Sequence, residues 1–192
     1  MPKNSKLHCS FETQISIANA LKELMKSKSF EKISISDITN ECSIHRQTFY
    51  YHFEDKYDLL NWIVLHELVN PLIDNFNLDN MYQRIEDLFT TMVQHKSFYK
   101  KTFHVSVPKM SQYIGKLAVE QISDVVASIE TDNGVTTDKL SQNTMSEFLG
   151  YGIAGVILSW AQSGMKDSPQ VMTERIKTII NACKKIAVCR EK

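Results

Sequence analysis

The sequence predicts an all-α protein of about nine helices, and three observations lead to this class. Apolar residues recur at helical intervals along nearly the whole 192-residue chain. Residues that cap helices or favour turns separate these stretches, and no internal repeat or low-complexity segment interrupts them. Hydrophobic residues make up 43% of the chain and charged residues 23%, which is typical of an ordered protein with a substantial core.

The first predicted helix is amphipathic. Ile15, Ala18, Leu21 and Met25 share one of its faces, because they recur every three or four residues. The polar segment 26–29 should end this helix.

Residues 34–53 have the pattern of two short helices joined by a tight turn. Ser34 followed three residues later by Asp37 is a variant of the capping box, so the second helix should begin just after Ser34. The helical spacing of apolar residues breaks near 42–44, where the chain must change direction. A helix-turn-helix presents itself to DNA in this way.

The second of these helices offers a face suited to base recognition. With Phe49 facing inward, a rotation of 100° per residue makes the outer face polar and aromatic. The residues on or beside this face are Arg46, Gln47, Thr48, Tyr50 and Tyr51. In a major groove Arg can bind guanine bidentately, Gln can bind adenine, and hydroxyl groups can reach phosphates. His52 and Lys56 should lie along the backbone of the duplex.

The middle of the chain is also predicted to be helical. A fourth helix starts near Asp55 and runs toward Pro71, where helical hydrogen bonding should falter. Three more helices are expected at 79–95, 97–104 and 108–130. The last of these should be capped by Ser106 and closed by a turn at 132–134.

Two long helices complete the chain, at 138–163 and 168–189, with Gly164 closing the first. The first is apolar nearly all round, so a single core-facing stripe cannot bury it. We expect both helices to pair with their copies in a second subunit, as a four-helix interface with twofold symmetry. The residues expected there are Phe148, Gly152, Gly155, Val156, Ser159, Met172, Ile176, Ile179, Ile180 and Cys183.

Several of these motifs together resemble the TetR family of transcriptional regulators. They are the segment 13–25, Ser34-Ile-Ser-Asp-Ile38, Thr48-Phe-Tyr-Tyr-His-Phe53 and Lys56-Tyr-Asp-Leu-Leu60. The resemblance covers residues 11–71 and implies a DNA-binding domain there, followed by a domain for effector binding and dimerisation at 72–192. Arg46-Gln-Thr-Phe-Tyr50, with Leu59-Leu-Asn-Trp62, further resembles the subgroup of dihydroxyacetone kinase regulators.

The resemblance implies roles for individual residues. The base readers would be Arg46, Gln47 and Tyr50, and the phosphate contacts would be Ser34, Ser36, Thr48, Tyr51, His52 and Lys56. The chain departs from the family's pattern at Gln47, where a small residue is common, and at His45, where Ser or a similar cap is common. An alternative function for Tyr50, Tyr51 and His52 is an aromatic cluster that only pins the third helix to the fourth.

The same resemblance implies how the protein is switched. Two reading heads must meet successive major grooves about 34–36 Å apart, so a change in the C-terminal domains that alters this separation weakens binding. In the family the effector is usually a small molecule held among the middle helices, and here it is either a small molecule or a protein. The expected lining residues are Phe98, Tyr99, Phe103, His104, Met110, Tyr113 and Trp160, a set that also fits plain core.

Charge and composition limit the other possibilities. The 22 basic and 22 acidic side chains cancel, which argues against broad nonspecific binding of nucleic acid and requires a local binding surface. The N-terminus has no apolar core for a signal peptide and the longest apolar stretch, 148–161, is too short to span a bilayer, so we expect a cytoplasmic protein without a membrane segment. The four cysteines lack metal-ligand spacing, and we expect neither a metal nor a cofactor.

Three apparent enzyme motifs lack the context that they need. Gly150-Tyr-Gly-Ile-Ala-Gly155 matches a dinucleotide-binding fingerprint, but the residues before it predict a helix rather than a strand. Ser97-Phe-Tyr-Lys100 has no supporting motif. His66-Glu67 begins like a zinc protease site, but Asn70 stands where the second histidine is required. We therefore do not expect an enzyme.

The sequence thus predicts a homodimeric regulator whose binding to double-stranded operator DNA is switched by an effector. Repression is the default, because a dimer on an operator can block polymerase, whereas activation needs a further contact surface. The alternative is an activator of dihydroxyacetone kinase type genes that acts with a protein co-regulator. From other classes, a helical enzyme would show turnover without operator binding, and an adaptor would keep the helix-turn-helix without binding DNA.

Overall fold

The computed structural model describes residues 4–105, 107–133 and 138–189, which are helical almost throughout, and it confirms the all-α class. The elements are α1 (Asn4–Ser27), a 3₁₀ turn (Phe30–Lys32), α2 (Ile35–Glu41), α3 (Arg46–His52), α4 (Lys56–Val64), a π-helical turn (Leu65–Val69), α5 (Asn70–Ile73), α6 (Met81–Gln94), α7 (Lys96–Val105), α8 (Val107–Asn133), α9 (Lys139–Gln162) and α10 (Pro169–Cys189). Because α4, the π turn and α5 are continuous, the described residues form nine helical runs besides the 3₁₀ turn. We call α1 to α3 the head and α6 to α10 the body.

The head folds around the apolar faces of its short helices. Leu21 of α1, Ile38 of α2 and Phe49 of α3 are fully buried, and they meet Leu59 and Leu60 of α4 in one core. The helical spacing of these residues places them on inward faces, so burial of these side chains holds the head on α4.

The predicted capping box starts α2. The hydroxyl oxygen of Ser34 accepts from the backbone N–H of Asp37 at 3.1 Å, and the Asp37 carboxylate accepts from the backbone N–H of Ser34 at 2.8 Å. These hydrogen bonds, with a smaller contribution from Lys28, lower the pKa of Asp37 from 3.8 to about 2. The chain leaves α2 through Ser43, whose φ of 54° makes the turn toward α3.

The helix that links head and body widens at Leu65–Val69. The backbone N–H of Asn70 donates to the carbonyl of Leu65, five residues earlier, as in a π helix. Pro71 explains this geometry, because it has no N–H and its ring clashes with the carbonyl of the residue four positions before it, which is Glu67. The irregularity expected at Pro71 therefore lies in the preceding turn, Leu65–Val69, and the helix continues through Pro71.

In the body, α8 and α9 pack closely side by side. A Cβ on Gly150 would lie 2.6 Å from the backbone nitrogen of Val119, so only glycine permits this approach. The glycines of the dinucleotide-binding pattern at 150–155 thus lie within α9, and Gly150 allows α9 to pack against α8. Gly164, with a φ of 94°, ends α9 as predicted, and the N–H of Met165 donates to the carbonyl of Trp160 at 2.9 Å.

Some predicted features fall outside the part of the chain that the structure describes. These are the cap at Ser106, the end of the turn at 132–134, and the side chains of Cys9, Cys183 and Cys189. Cys42 is a half-buried free thiol that donates to the carbonyl of Ile38 at 3.1 Å, and burial raises its pKa. Within 4–105, 107–133 and 138–189, no helix is both long and apolar enough to cross a membrane.

Candidate DNA interface and effector cavity

The outer face of α3 is open to solvent. Phe49 is fully buried and anchors the helix, so the opposite side points away from the core. On that side Arg46 and Gln47 are exposed, and Tyr50 and Tyr51 expose 50% and 81% of their surface. The side chains predicted to read bases are thus accessible to a groove of DNA.

Arg46 and Tyr50 contact each other on this face. The guanidinium Nη2 of Arg46 donates to the Tyr50 hydroxyl at 3.3 Å, and its central carbon lies 5.9 Å from the centre of the Tyr50 ring. Residues four apart on a helix can support each other in this way. The guanidinium matches the two acceptors that guanine presents in the major groove.

The aromatic contact from α3 to α4 runs through Phe53, whose ring also lies 5.8 Å from that of Phe49. The rings of His52 and Phe53 lie 6.3 Å apart, and Phe53 packs edge-on against Trp62 of α4 at 5.8 Å. His52 thus meets α4 only indirectly, through Phe53, while Tyr51 stays largely exposed. Burial lowers the pKa of His52, which favours the neutral form of the ring.

Three hydroxyl side chains predicted to contact phosphate lie near the starts of α2 and α3. Ser34 is exposed, but its hydroxyl donates to the Asp37 carboxylate at 2.7 Å. Ser36 and Thr48 are half-buried. Ser34 must leave Asp37 to donate to a phosphate, so Ser36 and Thr48 are the better placed pair.

Lys56 makes contacts within the head that the sequence did not predict. Its ammonium donates to the carbonyl oxygens of Phe30 at 2.9 Å, Glu31 at 3.1 Å and Ile33 at 2.8 Å. It also lies 4.7 Å from the centre of the Phe30 ring. An ammonium has three N–H donors, and all three are used. Lys56 therefore ties α4 to the 3₁₀ turn, and its predicted phosphate contact stays a prediction.

The expected dimer face is exposed on α9. Phe148 exposes 78% of its surface, and Gly152, Gly155 and Ser159 are exposed along the same helix, with Val156 half-buried beside them. A Cβ on Gly152 or Gly155 would meet no atom within 4 Å. These two glycines therefore leave space outside the subunit.

On α10, most of the predicted dimer residues are buried in their own subunit. Met172, Ile176 and Ile180 are at most 6% exposed, because this side of α10 packs on α6. The prediction for these three residues was wrong, since an apolar stripe on a helix does not specify which neighbour covers it. Ile179 is 37% exposed, and the side chain of Cys183 lies outside the described residues.

The body contains an apolar cavity of about 100 Å³ beside the connecting helix. Of the predicted lining residues, Phe103 is on its wall. Five others are corrected: Phe98, Tyr99 and Trp160 are buried in the core without lining the cavity, and His104 and Tyr113 are exposed. The side chain of Met110 is outside the described residues. Apolar residues at helical spacing do not reveal where packing leaves a gap.

A charged contact joins head and body next to this cavity. The ammonium of Lys22 in α1 lies 2.5 Å from the Glu67 carboxylate in the π turn, with 15% and 19% of the two side chains exposed. The Tyr99 hydroxyl of α7 donates to the other oxygen of Glu67 at 2.7 Å. Burial and Glu67 raise the pKa of Tyr99 far above its usual range, so the hydroxyl keeps its proton. We call Lys22, Glu67 and Tyr99 the head–body junction.

A second contact joins α1 of the head to α7 of the body. The ammonium of Lys101 in α7 donates to the carbonyl of Met25 and lies 3.5 Å from that of Lys26 and 3.4 Å from that of Lys28. Lys101 thus caps the C-terminal end of α1, where the helix dipole attracts a cation. No local pattern indicates these contacts, because their partners lie far apart in the sequence.

Comparison with families of known proteins gives two matches. A model described as "Bacterial regulatory proteins, tetR family" matches residues 17–63, and one described as "Transcriptional regulator C-terminal region" matches residues 79–182. The curated "HTH-type dhaKLM operon transcriptional activator DhaS" of Lactococcus lactis subsp. lactis (strain IL1403) is 35% identical over 91 residues. This match spans 47% of the chain and about half, 49%, of the relative.

Two solved structures share the fold. "Dihydroxyacetone kinase operon activator DhaS" has a TM-score of 0.76 and 24% identity, over 91% of this chain and 97% of that one. Thermus thermophilus FadR, a TetR family transcriptional repressor in complex with lauroyl-CoA, has a TM-score of 0.53 and 16% identity, over 86% and 92%. At these sequence identities, the similarity to the two structures shows a shared fold alone.

Proposed function

The chain belongs to the TetR family of transcriptional regulators and is not an enzyme, and from this premise we propose that it binds an operator as a homodimer whose affinity an effector controls. Residues 11–71 would form the DNA-binding domain and 72–192 the domain for dimerisation and effector binding. The protein would act in the cytoplasm, on double-stranded DNA.

The observation that carries the proposal is the outer face of α3. Arg46 is exposed and held by Tyr50 at 3.3 Å, with Gln47 exposed beside it. These are donors and acceptors for base edges, while Tyr51, His52, Thr48, Ser36 and, after release from its cap, Ser34 would contact the backbone of the duplex. The chain has no net charge, so this local face must provide the affinity.

The exposed stripe of α9 supports the homodimer. Leu140, Phe148 and Tyr151 expose 76%, 78% and 49% of their surface, which is a high cost for an isolated subunit. Gly152 and Gly155 leave room for a second helix on the same side. A twofold axis beside α9 would pair two heads for successive major grooves. Ile179 of α10 would lie at the edge of this interface.

Two modes of regulation, repression and activation, have different arguments in their support. Repression needs only a dimer that occupies a site used by polymerase. Activation is the second candidate, because the relative from Lactococcus lactis is named as an activator of the dhaKLM operon. A reporter fused to the regulated promoter separates them, since deletion of the gene raises expression under repression and lowers it under activation.

Binding of the full-length protein to the DNA upstream of its own gene tests the proposal. In fluorescence anisotropy we expect saturable binding that competitor DNA of unrelated sequence does not remove. Arg46→Ala should weaken it by about 10- to 100-fold, as for the loss of one bidentate base contact. Lys116→Ala, on the body, is the control. Equal binding by the parent and the Arg46 variant would refute the assignment of the face.

A further inference from the structure

Arg46 and Tyr50 bring two different chemical groups to one point on the outer face of α3. The guanidinium Nη2 of Arg46 lies 3.3 Å from the Tyr50 hydroxyl, although the two residues start about 6 Å apart along the helix axis. Neighbouring base pairs are stacked about 3.4 Å apart along the duplex. The two side-chain tips therefore have the spacing of successive base pairs, so they can address two pairs that adjoin each other in one groove.

Both side chains remain available to a ligand. The Tyr50 ring packs edge-on against the buried Phe49 ring at 5.7 Å and still exposes 50% of the residue's surface. Within the part of the chain that the structure describes, no carboxylate pairs with Arg46. Tyr50 thus rests on the core of the head while offering apolar surface outward, and Arg46 keeps its charge for DNA.

The contact with Tyr50 leaves Arg46 able to read guanine. A guanidinium has five N–H donors, and one of them is directed at the Tyr50 hydroxyl. Two further donors can bind O6 and N7 of one guanine, a pair of acceptors that no other base presents in the major groove. Arg46 can therefore select guanine while it keeps its contact with Tyr50.

The hydroxyl and the ring of Tyr50 together match thymine. The hydroxyl oxygen accepts from Arg46, so its own proton is left to donate outward, and the exposed ring beside it is apolar. Thymine presents an acceptor, O4, next to a methyl group, whereas cytosine presents an amino donor and no methyl group. Adenine also presents an amino donor, and guanine lacks the methyl group. Thymine is thus the base that suits both parts of the side chain.

We propose that Arg46 and Tyr50 read one step of the operator as a unit. The guanidinium binds a guanine, and in the neighbouring base pair a thymine accepts from the Tyr50 hydroxyl through O4 and packs its methyl group on the ring. The inference rests on the proposed function, because it specifies the bases that the same face recognises. Tyr50 is then the residue that selects the second base of the step, in addition to its contact with Arg46.

Base analogues that differ by a single group test each contact. The full-length parent is titrated by fluorescence anisotropy with the upstream DNA that it protects in footprinting, and one thymine at a time is replaced by uracil, which lacks the methyl group. At one thymine we expect affinity to fall about three- to fourfold, as for one buried methyl group. Replacement of a guanine in the adjacent base pair by 7-deazaguanine, which lacks N7, should weaken binding about tenfold.

Variants of Tyr50 separate the ring from the hydroxyl. Tyr50→Phe keeps the ring and should keep the uracil effect, whereas Tyr50→Ala should lose it. A pair of 5-methylcytosine and guanine in place of thymine and adenine keeps the methyl group but presents an amino donor where O4 was. This pair should weaken binding by the parent about tenfold and binding by Tyr50→Phe much less, since the variant has no O–H that needs an acceptor.

Tyr51→Ala is the matched control, because Tyr51 is the next residue of the helix and exposes 81% of its surface. Tyr51 is expected to contact the backbone of the duplex, so this variant should bind every DNA more weakly and should keep both base effects. Loss of the uracil effect in Tyr51→Ala would overturn the assignment of the thymine to Tyr50.

The remaining outcomes distinguish this inference from the proposed function. If the parent binds no DNA specifically, the proposed function fails and the inference fails with it. If the parent binds specifically but no thymine shows a uracil effect that Tyr50→Ala removes, the base assignment is overturned while the proposed function stands. The same conclusion follows if the sensitive guanine and thymine do not lie in neighbouring base pairs.

Discussion

The ammonium of Lys56 lies 2.8 Å from the carbonyl oxygen of Ile33, so the first residue of α4 holds the chain just before α2 begins. Together with the contacts to Phe30 and Glu31, this makes a lysine near the DNA-binding face a part of the fold. A basic residue beside a reading helix is thus not automatically a phosphate contact, because backbone carbonyls compete for its protons.

Lys56→Met should destabilise the head by roughly 2–4 kcal/mol, because three carbonyl groups lose a charged donor. Urea unfolding measures this loss, and Lys32→Met, an exposed residue of the same 3₁₀ turn, is the control. The salt dependence of operator binding should not change. If the Lys56→Met variant is as stable as the parent, and the slope of log K against log salt decreases in magnitude by about one, then Lys56 contacts a phosphate.

Tyr50→Phe removes the hydroxyl that Arg46 donates to and leaves the ring in place. We expect operator affinity to fall about three- to tenfold, the effect of one modest hydrogen bond, with the dimer unchanged. Anisotropy titration measures the affinity, and Tyr113→Phe, an exposed tyrosine of α8, is the control. An unchanged affinity would mean that Arg46 needs no support from Tyr50.

Phe148→Glu places a charge in the exposed stripe of α9. The subunit should fold as before, because this side chain is 78% exposed, but a dimer that buries it should dissociate. Light scattering coupled to size exclusion gives the mass, with Gln94→Glu on α6 as a matched change of charge. If the variant keeps the parent's mass and that mass is a dimer, the interface lies elsewhere.

Pro71→Ala restores the N–H that can donate to the carbonyl of Glu67, so Leu65–Val69 should become α-helical. The contact between Lys22 and Glu67 should then weaken. A double-mutant cycle measures this, because Lys22→Met should cost less stability in the Pro71→Ala background than in the parent. Pro169→Ala, at the first position of α10, should show no such coupling. Additive effects at Pro71 and Lys22 would contradict the link.

Asp37→Asn tests the capping box through pH. The pKa of Asp37 is lowered from 3.8 to about 2, so its carboxylate stabilises the folded state above pH 3.8 and loses this effect as the pH falls toward 2. The parent should therefore be more stable than the variant at pH 7, and the difference should shrink below pH 3.8. Thermal unfolding across pH 2–7 measures it, with Glu31→Gln as control. A constant difference would exclude the charge as its cause.

Much of the fold followed from local patterns. The spacing of Leu21 and Met25, the pair Ser34 and Asp37, and the stop at Gly164 are short-range features, and the structure has each of them where the sequence placed it. The accessible face of α3 also followed from the inward position of Phe49. Helical periodicity and capping act within a few residues, so one sequence suffices to read them.

Several predictions that depended on which elements pack together were wrong. The α10 residues Met172, Ile176 and Ile180 were expected in a dimer but cover their own core. Of the aromatic residues expected around a ligand, Phe98, Tyr99 and Trp160 are buried in the core instead. The cavity instead borders Leu68 and Val69. An amphipathic stripe indicates that one side of a helix must be buried, but it does not indicate which element or subunit covers that side.

The sequence by itself determined the helices, the cap of α2, the exposed face of α3 and the family, because the residues that specify each of them lie close together along the chain. Only the tertiary structure decided that Lys56 is used inside the head, that Glu67 joins Lys22 to Tyr99, and where the body remains unfilled. Such contacts join residues tens of positions apart, and they arise only when packed helices bring those residues within a few ångströms.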